Sequence, residues 1–411
     1  MNESSKKPNS LEKIQNTELA KVGNILKITH KLLSKIKLVP YLKKNGKYIY
    51  VDSVTMKPVL LNNEYDDAHL FKDGLAQIKL KDKCGFIDNS GTIVIPPIYD
   101  FSYNFYEGHA SVTLDGYRGV IDKTGKVVVP LEYDKGAVGF SNGLTRVVLN
   151  GKWGFVGNTG ELVIPPQYDM VYVFHEGLAV VTRKKKEGFI DLTGKEVIPL
   201  IYSSASTFSN GLARVRRKNK YGFIDRNGKE IIPIKYDDAH LISEGLYGVQ
   251  KNDKWGFIDK NGNLVIPLIY DYADKFYDGL ARIILNGKHG YIDKNGDIVL
   301  MINYDFTNSY SEGLAGVRLN NKWGIIDKNG REIVSPKYDF VFPFHGGLCQ
   351  VRLNKKYGYI NKLGKEVILP KYDIVDAFFG EGFYEEDFNR VRNFYSKSFY
   401  IDKTGKEFRE V

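Results

Sequence analysis

A repeat of about 34 residues is the feature that most limits how this 411-residue chain can fold. A tyrosine recurs at this period, with one step of 35, and Asp follows it everywhere except at Ser203. The tyrosines of this column are Tyr65, Tyr99, Tyr133, Tyr168, Tyr202, Tyr236, Tyr270, Tyr304, Tyr338 and Tyr372. A glycine column keeps the same period: Gly85, Gly119, Gly154, Gly188, Gly222, Gly256, Gly290, Gly324 and Gly358. Because two columns share one period, we expect a tandem array of structurally equivalent repeats.

Alternating apolar residues indicate β structure, although a 34-residue period also suits helical arrays. In 76–80, Ala, Ile and Leu occupy every second position and polar residues fill the others, which predicts a half-buried strand. A short turn leads to a second strand such as 152–156. A third run such as 93–95 is apolar on both faces, which predicts a buried central strand that Pro96 ends. Each repeat is therefore predicted to be a three-stranded meander followed by a loop through Tyr-Asp.

One segment carries a resemblance to a known family. Residues 254–271 read Lys-Trp-Gly-Phe-Ile-Asp-Lys-Asn-Gly followed by Val-Ile-Pro and Tyr-Asp, and this pattern resembles the bacterial WG-repeat family, also described as KWG repeats. Nine units resemble it over 65–371, with a partial unit at 47–64 and a degenerate one at 372–411. The resemblance implies a β-rich architecture and no catalytic residues.

The number of strands and the two ends of the array favour an open arrangement. Three strands per unit are one fewer than a usual propeller blade, and ten units exceed the usual number of blades. The partial N-terminal unit supplies a second and a third strand, whereas the C-terminal unit contains all three, so the two ends do not complement each other. We therefore expect an elongated, solenoid-like all-β array. A closed β-propeller is the alternative.

Residues 1–46 form a separate basic segment before the array at 47–411. Residues 1–47 contain eleven Lys and three Glu, and so carry +8 of the net charge of +10. Apolar residues at helical spacing predict an amphipathic helix from about Ser10 to Leu38. Its basic residues are Lys21, Lys27, Lys31, Lys35 and Lys37. This helix could cap the array, bind a partner, or contact nucleic acid or an anionic membrane.

The residue before each repeat glycine varies and provides the candidate binding residues. This slot is occupied by Cys84, Arg118, Trp153, Glu187, Tyr221, Trp255, His289, Trp323 and Tyr357. Such variety indicates a partly exposed strand position, either plain surface or a ribbon of aromatic contacts at Trp153, Tyr221, Trp255, Trp323 and Tyr357. The glycines themselves are predicted to be structural, at sites of close backbone approach. In the Tyr-Asp pairs, Tyr is expected to pack between repeats and Asp to cap its own loop.

No motif supports an enzyme, a cofactor or a metal site. The seven histidines show no metal-binding spacing, and neither a phosphate-binding loop nor a nucleophile motif is present. Two cysteines and no apolar run long enough to span a bilayer lead us to expect a cytoplasmic protein. We therefore expect a non-catalytic binding or scaffolding protein with a protein partner. The alternatives are a small-ligand or carbohydrate-binding protein, and an accessory subunit that contacts nucleic acid or membrane through residues 1–47.

Overall fold

The computed structural model describes residues 37–59, 63–375, 388–392 and 397–410. These residues form strands and connecting turns, with no helix among them. The chain divides into two compact units, one that ends at Ile98 and takes in the residues from Phe408 onward, and one of Tyr99–Glu407. The all-β prediction is confirmed for the described residues.

The strands are numbered in chain order. The first pair is β1 (Leu38–Leu42) and β2 (Tyr48–Asp52). Blade 1 consists of β3 (Asp67–Ala68), β4 (Leu75–Leu80), β5 (Lys83–Asp88) and β6 (Ile93–Tyr99), and blade 2 consists of β7 (Phe101–Ser102), β8 (His109–Leu114), β9 (Tyr117–Asp122) and β10 (Val127–Tyr133). Blade 3 consists of β11 (Lys135–Gly136), β12 (Leu144–Leu149), β13 (Lys152–Gly157) and β14 (Leu162–Tyr168), and blade 4 consists of β15 (Met170–Val171), β16 (Leu178–Arg183), β17 (Lys186–Asp191) and β18 (Glu196–Tyr202). Blade 5 consists of β19 (Ser204–Ala205), β20 (Ala213–Arg217), β21 (Lys220–Ile224) and β22 (Glu230–Tyr236). Blade 6 consists of β23 (Asp238–Ala239), β24 (Tyr247–Lys251), β25 (Lys254–Ile258) and β26 (Leu264–Tyr270), and blade 7 consists of β27 (Tyr272–Tyr277), β28 (Leu280–Leu285), β29 (Lys288–Ile292) and β30 (Ile298–Ile302). Blade 8 consists of β31 (Phe306–Thr307), β32 (Leu314–Leu319), β33 (Lys322–Asp327) and β34 (Glu332–Tyr338), and blade 9 consists of β35 (Phe340–His345), β36 (Leu348–Leu353), β37 (Lys356–Asn361) and β38 (Glu366–Tyr372). Blade 10 consists of β39 (Ile374–Val375), β40 (Phe388–Arg392), β41 (Phe399–Asp402) and β42 (Glu407–Phe408).

Each blade is a four-stranded meander, in which every strand pairs with the next one in sequence. The three-stranded prediction is wrong because it missed the first strand, which in most blades is only two residues long. That strand follows directly on the Tyr-Asp pair, where the sequence indicated a loop. Two residues are too few to show an alternating pattern.

The fourth strand is an edge strand, whereas the sequence predicted it to be buried and central. In β14 the side chains of Leu162 and Pro165 are exposed while those of Ile164 and Tyr168 are buried. The strand also continues through its prolines, which were expected to end it. A register shift between Phe155↔Ile164 and Trp153↔Tyr168 marks a bulge there. Proline is tolerated at edges and bulges because no ladder hydrogen bond is required of it.

The repeat glycines lie against this bulge. A Cβ atom on Gly154 would stand 2.4 Å from the carbonyl oxygen of Ile164 and 2.7 Å from the nitrogen of Pro166. A Cβ on Gly256 would stand 2.5 Å from the carbonyl oxygen of Ile266. No side chain fits at such distances, so the third strand can approach the bulged fourth strand only with glycine.

The hydrophobic core lies between successive blades. One cluster joins Phe155 and Ile164 of blade 3 to Phe174 and Val181 of blade 4, and another joins Trp323 and Ile325 of blade 8 to Phe344 and Val351 of blade 9. Most of the repeat tyrosines are buried, and Tyr304 is half-buried. Since each cluster draws on two neighbours, a blade depends on the next one for its core.

The repeat Asp caps a hairpin in the following blade, and the prediction that it caps its own loop is wrong. Asp237 accepts a hydrogen bond from the backbone of Asn252 at 2.8 Å in the hairpin β24–β25, and it pairs with Lys220 of blade 5. Among the described residues, six ion pairs of this kind are found: Lys47–Asp66, Lys152–Asp169, Lys220–Asp237, Lys254–Asp271, Lys322–Asp339 and Lys356–Asp373. We call these pairs the Lys–Asp ladder. The lysine that precedes Trp-Gly in the repeat thus has a partner 17 or 19 residues later.

The two ends of the described chain pair with each other inside the first unit. Leu42 forms a parallel bridge with Arg409, and the backbone nitrogen of Glu410 donates to the Leu42 carbonyl oxygen at 2.7 Å. Paired ends and four-stranded sheets agree with the β-propeller alternative, and the expected elongated open array is wrong. The sequence argument failed because it did not recognise β1, the strand that meets the C-terminal residues.

The N-terminal predictions fall mostly outside the described residues. The expected helix includes Lys21, Lys27, Lys31 and Lys35, which are not among them, but its last residue, Leu38, begins strand β1. The hairpin β1–β2 also crosses the domain boundary expected at 46/47, so Leu38–Leu42 belongs with the repeats.

Candidate binding face

The first strand of each blade, with the residues that follow it, presents side chains to one face. A buried small residue such as Val171 or Ala239 lies between two residues that are exposed or half-buried. Because side chains alternate along a strand, the two flanking residues share a face. We call the surface formed by these segments in blades 2 to 9 the aromatic face; it comprises residues 101–106, 135–141, 170–175, 204–209, 238–243, 272–277, 306–311 and 340–345.

Exposed aromatic residues concentrate on this face. Six Phe, Tyr or Trp side chains are exposed in the described chain, and five of them lie in these segments: Phe101, Tyr103, Tyr106, Tyr172 and Tyr277. The sixth, Tyr117, lies at the start of β9. Aromatic side chains are enriched at protein interfaces, so their concentration on one face distinguishes it from the rest of the surface.

The candidate binding tryptophans lie beneath this face. Trp255 is 5% exposed and Trp323 is 6% exposed, so the predicted exposed aromatic ribbon is wrong at both positions. Trp255 stacks on His240 at 4.3 Å with an interplanar angle of 12°. Trp323 packs between Phe306 and Phe340, with ring centroids 5.8 Å and 5.3 Å away. The overlooked first strands of the same and the next blade cover both tryptophans.

The other candidates are less deeply buried than Trp255 and Trp323. Trp153, Tyr221 and Tyr357 are half-buried. The guanidinium of Arg214 lies 5.3 Å from the ring centroid of Tyr221. The ring of Tyr357 lies 6.4 Å from that of Phe342. These three side chains stay available as contact residues, and Lys37 of the basic segment is exposed.

Rings form a continuous row across blades 7 to 9. The row runs His289, Phe306, Trp323, Phe340, Phe342 and Tyr357, with consecutive centroids 4.8 to 6.4 Å apart. Edge-to-face and tilted geometries of this kind are favourable for aromatic pairs. Three slot residues, His289, Trp323 and Tyr357, therefore support a wall of first-strand aromatic residues that the sequence did not single out.

A cleft of about 510 Å³ opens on the aromatic face beside this row. The first-strand segments of blades 7, 8 and 9 surround it, and we call it the Arg282 cleft. It is lined by Asp274, Tyr277, Arg282, Phe306, Thr307, Asn308, Ser309, Tyr310, Ser311, Phe340, Val341, Phe342 and Pro343. Clefts of this size with apolar walls and few polar groups are typical of ligand sites.

Arg282 is the most deeply buried charged group of the cleft. It is 9% exposed, and its guanidinium lies between the rings of Tyr272 and Phe306, 4.8 Å and 5.0 Å from their centroids. Within the described chain its Nε is buried without a hydrogen-bond partner, and its ion pair with Asp274 is loose at 3.6 Å. A buried guanidinium with unused donors is costly unless something else binds it.

Two arginines at equivalent positions are bound by the protein itself. Arg146 in blade 3 donates to the carbonyl oxygen of Val171 at 3.4 Å, and Arg214 in blade 5 donates to that of Ala239. For Arg282, the residue that corresponds to Val171 and Ala239 is Thr307. There, the hydroxyl of Tyr291 forms hydrogen bonds with the hydroxyl of Thr307 and with the carbonyl oxygen of Asn308. Blades 3 and 5 carry Phe155 and Phe223 in place of this tyrosine.

A smaller cavity of about 200 Å³ occupies the same place between blades 2, 3 and 4. Tyr103, Tyr106, His109 and Phe140 contribute to its walls together with Arg146. His109 and Phe140 form an edge-to-face pair at 4.9 Å. Both cavities therefore open on the aromatic face, next to an arginine of the second strand.

Two titratable side chains outside the cleft lining, His289 and Tyr291, interact electrostatically with Arg282. Burial and the charge of Arg282 hold the pKa of His289 below its usual range, and burial raises the pKa of Tyr291 to about 12. Both shifts favour the uncharged form of the side chain. Asp274 and Arg282 are then the charged residues among the cleft lining, one of each sign.

The described residues contain no cluster of His, Cys, Asp and Glu that could hold a metal ion. Both cysteines are free and buried, and burial raises the pKa of the Cys349 thiol to about 12. A thiol in that state is a poor nucleophile at neutral pH.

The sequence argument overlooked Arg282 and Asp274. A signal was present, since Arg146, Arg214 and Arg282 recur at one position of alternate repeats. Asp274 follows a first strand that was not recognised, so its position on the same face could not be predicted.

Ten consecutive segments match the family described as WG containing repeat: 63–84, 85–117, 119–153, 153–186, 188–221, 221–255, 255–288, 290–323, 323–357 and 357–385. The chain belongs to the WG-repeat family. Most of these segments begin at or next to the repeat glycine, in the third strand of a blade. One WG repeat thus contributes the end of one blade and the beginning of the next, which links neighbouring blades covalently through each repeat.

No curated protein matches the chain. Among solved structures, the computationally designed Ika8 protein is similar at 11% identity and a TM-score of 0.31, over 64% of this chain and 93% of that one. A structure described as the eukaryotic initiation factor is similar at 10% identity and a TM-score of 0.38, over 72% and 94%. Hsv2p of Kluyveromyces lactis is similar at 9% identity and a TM-score of 0.34, over 55% and 89%.

The described residues provide no helix that is long and apolar enough to span a membrane.

Proposed function

We propose that this WG-repeat protein is a non-catalytic binding or scaffolding protein that receives a protein partner on its aromatic face. The observation that carries the proposal is the concentration of exposed aromatic residues in the first-strand segments. Aromatic anchors dominate the binding energy of many interfaces, particularly beside pockets that exclude water. The two cavities on the same face offer such pockets. A cytoplasmic location is part of the proposal, and the two free cysteines are compatible with it.

Partner capture with matched surface variants tests the proposal. In one variant Tyr103, Tyr172 and Tyr277 on the aromatic face are changed to Ser. In the control, the exposed edge-strand residues Ile93, Leu162 and Leu264 are changed to Ser. Capture from an extract of the native host, followed by mass spectrometry, identifies the proteins bound by the unmodified chain.

We expect the aromatic-face variant to bind the captured partner at least tenfold more weakly, because truncation of an aromatic anchor at an interface costs about 2 kcal/mol or more, and about 1.4 kcal/mol is a tenfold change. We expect the edge-strand control to retain it. Loss of the partner only in the edge-strand variant would move the interface to the fourth strands and refute the proposal.

A further inference from the structure

The Arg282 cleft has a charge pattern that distinguishes it from a plain protein-docking pocket. Asp274 and Arg282 stand 3.6 Å apart, beyond hydrogen-bond distance, on one side of an apolar cavity. A ligand with only a negative charge would be repelled by the Asp274 carboxylate, and a ligand with only a positive charge would be repelled by the Arg282 guanidinium. A ligand with a carboxylate and an ammonium group attached to the same carbon atom would satisfy both groups at once.

The donors of Arg282 are held in place for such a ligand. The ring centroids of Tyr272 and Phe306 lie 4.8 Å and 5.0 Å from the guanidinium, and its Nε has no hydrogen-bond partner among the described residues. A guanidinium fixed by stacked rings presents its N–H groups in its own plane, where a carboxylate can bind two of them.

Asp274 is oriented by two contacts and keeps acceptor capacity. Its Oδ1 accepts from the backbone of Lys275 at 2.9 Å, and its Oδ2 accepts from the hydroxyl of Ser309 at 3.1 Å. A carboxylate offers about four acceptor positions, so two stay available for an ammonium group.

We propose that the Arg282 cleft binds an α-amino acid with an aromatic or large aliphatic side chain. The carboxylate of the ligand binds Arg282, and its ammonium group binds Asp274. The side chain rests against Phe306, Phe340 and Phe342, whose rings line the cavity. This site goes beyond the proposed protein partner and stands or falls separately from it.

Calorimetric titration of the full chain with L-phenylalanine tests the site. Two analogues remove one charge each: phenylalaninamide lacks the carboxylate, and N-acetylphenylalanine lacks the ammonium group. The variants are Arg282→Gln and Asp274→Asn. The control is Arg214→Gln, because Arg214 occupies the equivalent position but is bound to the Ala239 carbonyl oxygen.

We expect L-phenylalanine to bind, and each analogue to bind at least tenfold more weakly to the unmodified protein. Arg282→Gln and Asp274→Asn should weaken L-phenylalanine to a similar degree, whereas Arg214→Gln should not. The analogue comparison uses the unmodified chain and so does not depend on how the variants fold. Absence of L-phenylalanine binding, or equal binding of either analogue, would overturn the proposal. Loss of partner capture in the aromatic-face variant bears only on the proposed function.

Discussion

Single positions in this WG-repeat protein have roles that depend on which blade covers them. The slot before the repeat glycine is occupied by Trp255 in blade 6, which is buried against His240, and by Tyr357 in blade 9, which is half-buried. One position of the repeat is therefore core in one blade and part of the surface in another. The residues on the first strand of the same and the next blade decide between the two.

Replacement of Trp255 by Ser tests this assignment at the residue scale. We expect the free energy of unfolding to fall by about 3–5 kcal/mol, as it does when large buried aromatic residues are truncated. Urea unfolding followed by circular dichroism measures the change. Tyr357→Ser is the comparison, and we expect it to cost less because that ring is only half-buried. A loss of about 1 kcal/mol or less for Trp255→Ser would mean that the slot is surface even in blade 6.

The Lys–Asp ladder connects elements of neighbouring blades. Hydrogen bonds from Lys220, Lys254 and Lys322 hold the pKa of Asp237, Asp271 and Asp339 below its ordinary value of 3.8. A carboxyl group with a lowered folded-state pKa stabilises the protein above its unfolded-state pKa. This contribution is lost as the pH falls through the lower, folded-state value. The ladder therefore stabilises the fold near neutral pH and ceases to do so in acid.

A variant with Asp237, Asp271 and Asp339 changed to Asn tests this at the element scale. We expect it to unfold at lower urea concentration than the unmodified protein near neutral pH. The difference should shrink as the pH falls below about 4, because both proteins then lack the three charges. Urea midpoints at about pH 7, 5 and 3 measure it. A difference that does not change with pH would mean that the ladder contributes through its geometry and not through its charge.

For the molecule as a whole, the joined ends bear on stability. The Arg409 bridge to Leu42 and the hydrogen bond from Glu410 to the Leu42 carbonyl oxygen link residues about 370 positions apart. Closing a long loop lowers the entropy of the partly unfolded states, and an array with free ends lacks this contribution.

Deletion of residues 409–411 removes this contact. We expect the melting temperature to fall by several degrees while the secondary structure content of the remaining chain is retained. Glu410→Gln is the matched control, because it keeps the backbone bond to Leu42 and changes only the carboxylate that accepts from the Lys44 nitrogen at 3.0 Å. An unchanged melting temperature after the deletion would show that the paired ends do not stabilise the fold.

Local patterns were sufficient to predict the repeat, its period and three of the four strands of each blade. Turn residues and alternating apolar positions such as Ala76 and Ile78 act within a few residues, so they can be interpreted in the sequence. The glycine column was recognised for the same reason, because a glycine kept at one strand position indicates close backbone approach. Gly154 and Gly256 do stand that close to the fourth strand.

Contacts between residues far apart in sequence could not be predicted from these patterns. The first strand is too short to show an alternation, yet it covers Trp255, lines the Arg282 cleft and makes each blade four-stranded. The partner of the repeat Asp lies in another blade, and the partner of Leu42 lies near the far end of the chain. Such pairings are set by packing between blades, and a single sequence records packing only weakly. The tertiary structure therefore decided between open and joined ends, and it brought Asp274 and Arg282 together.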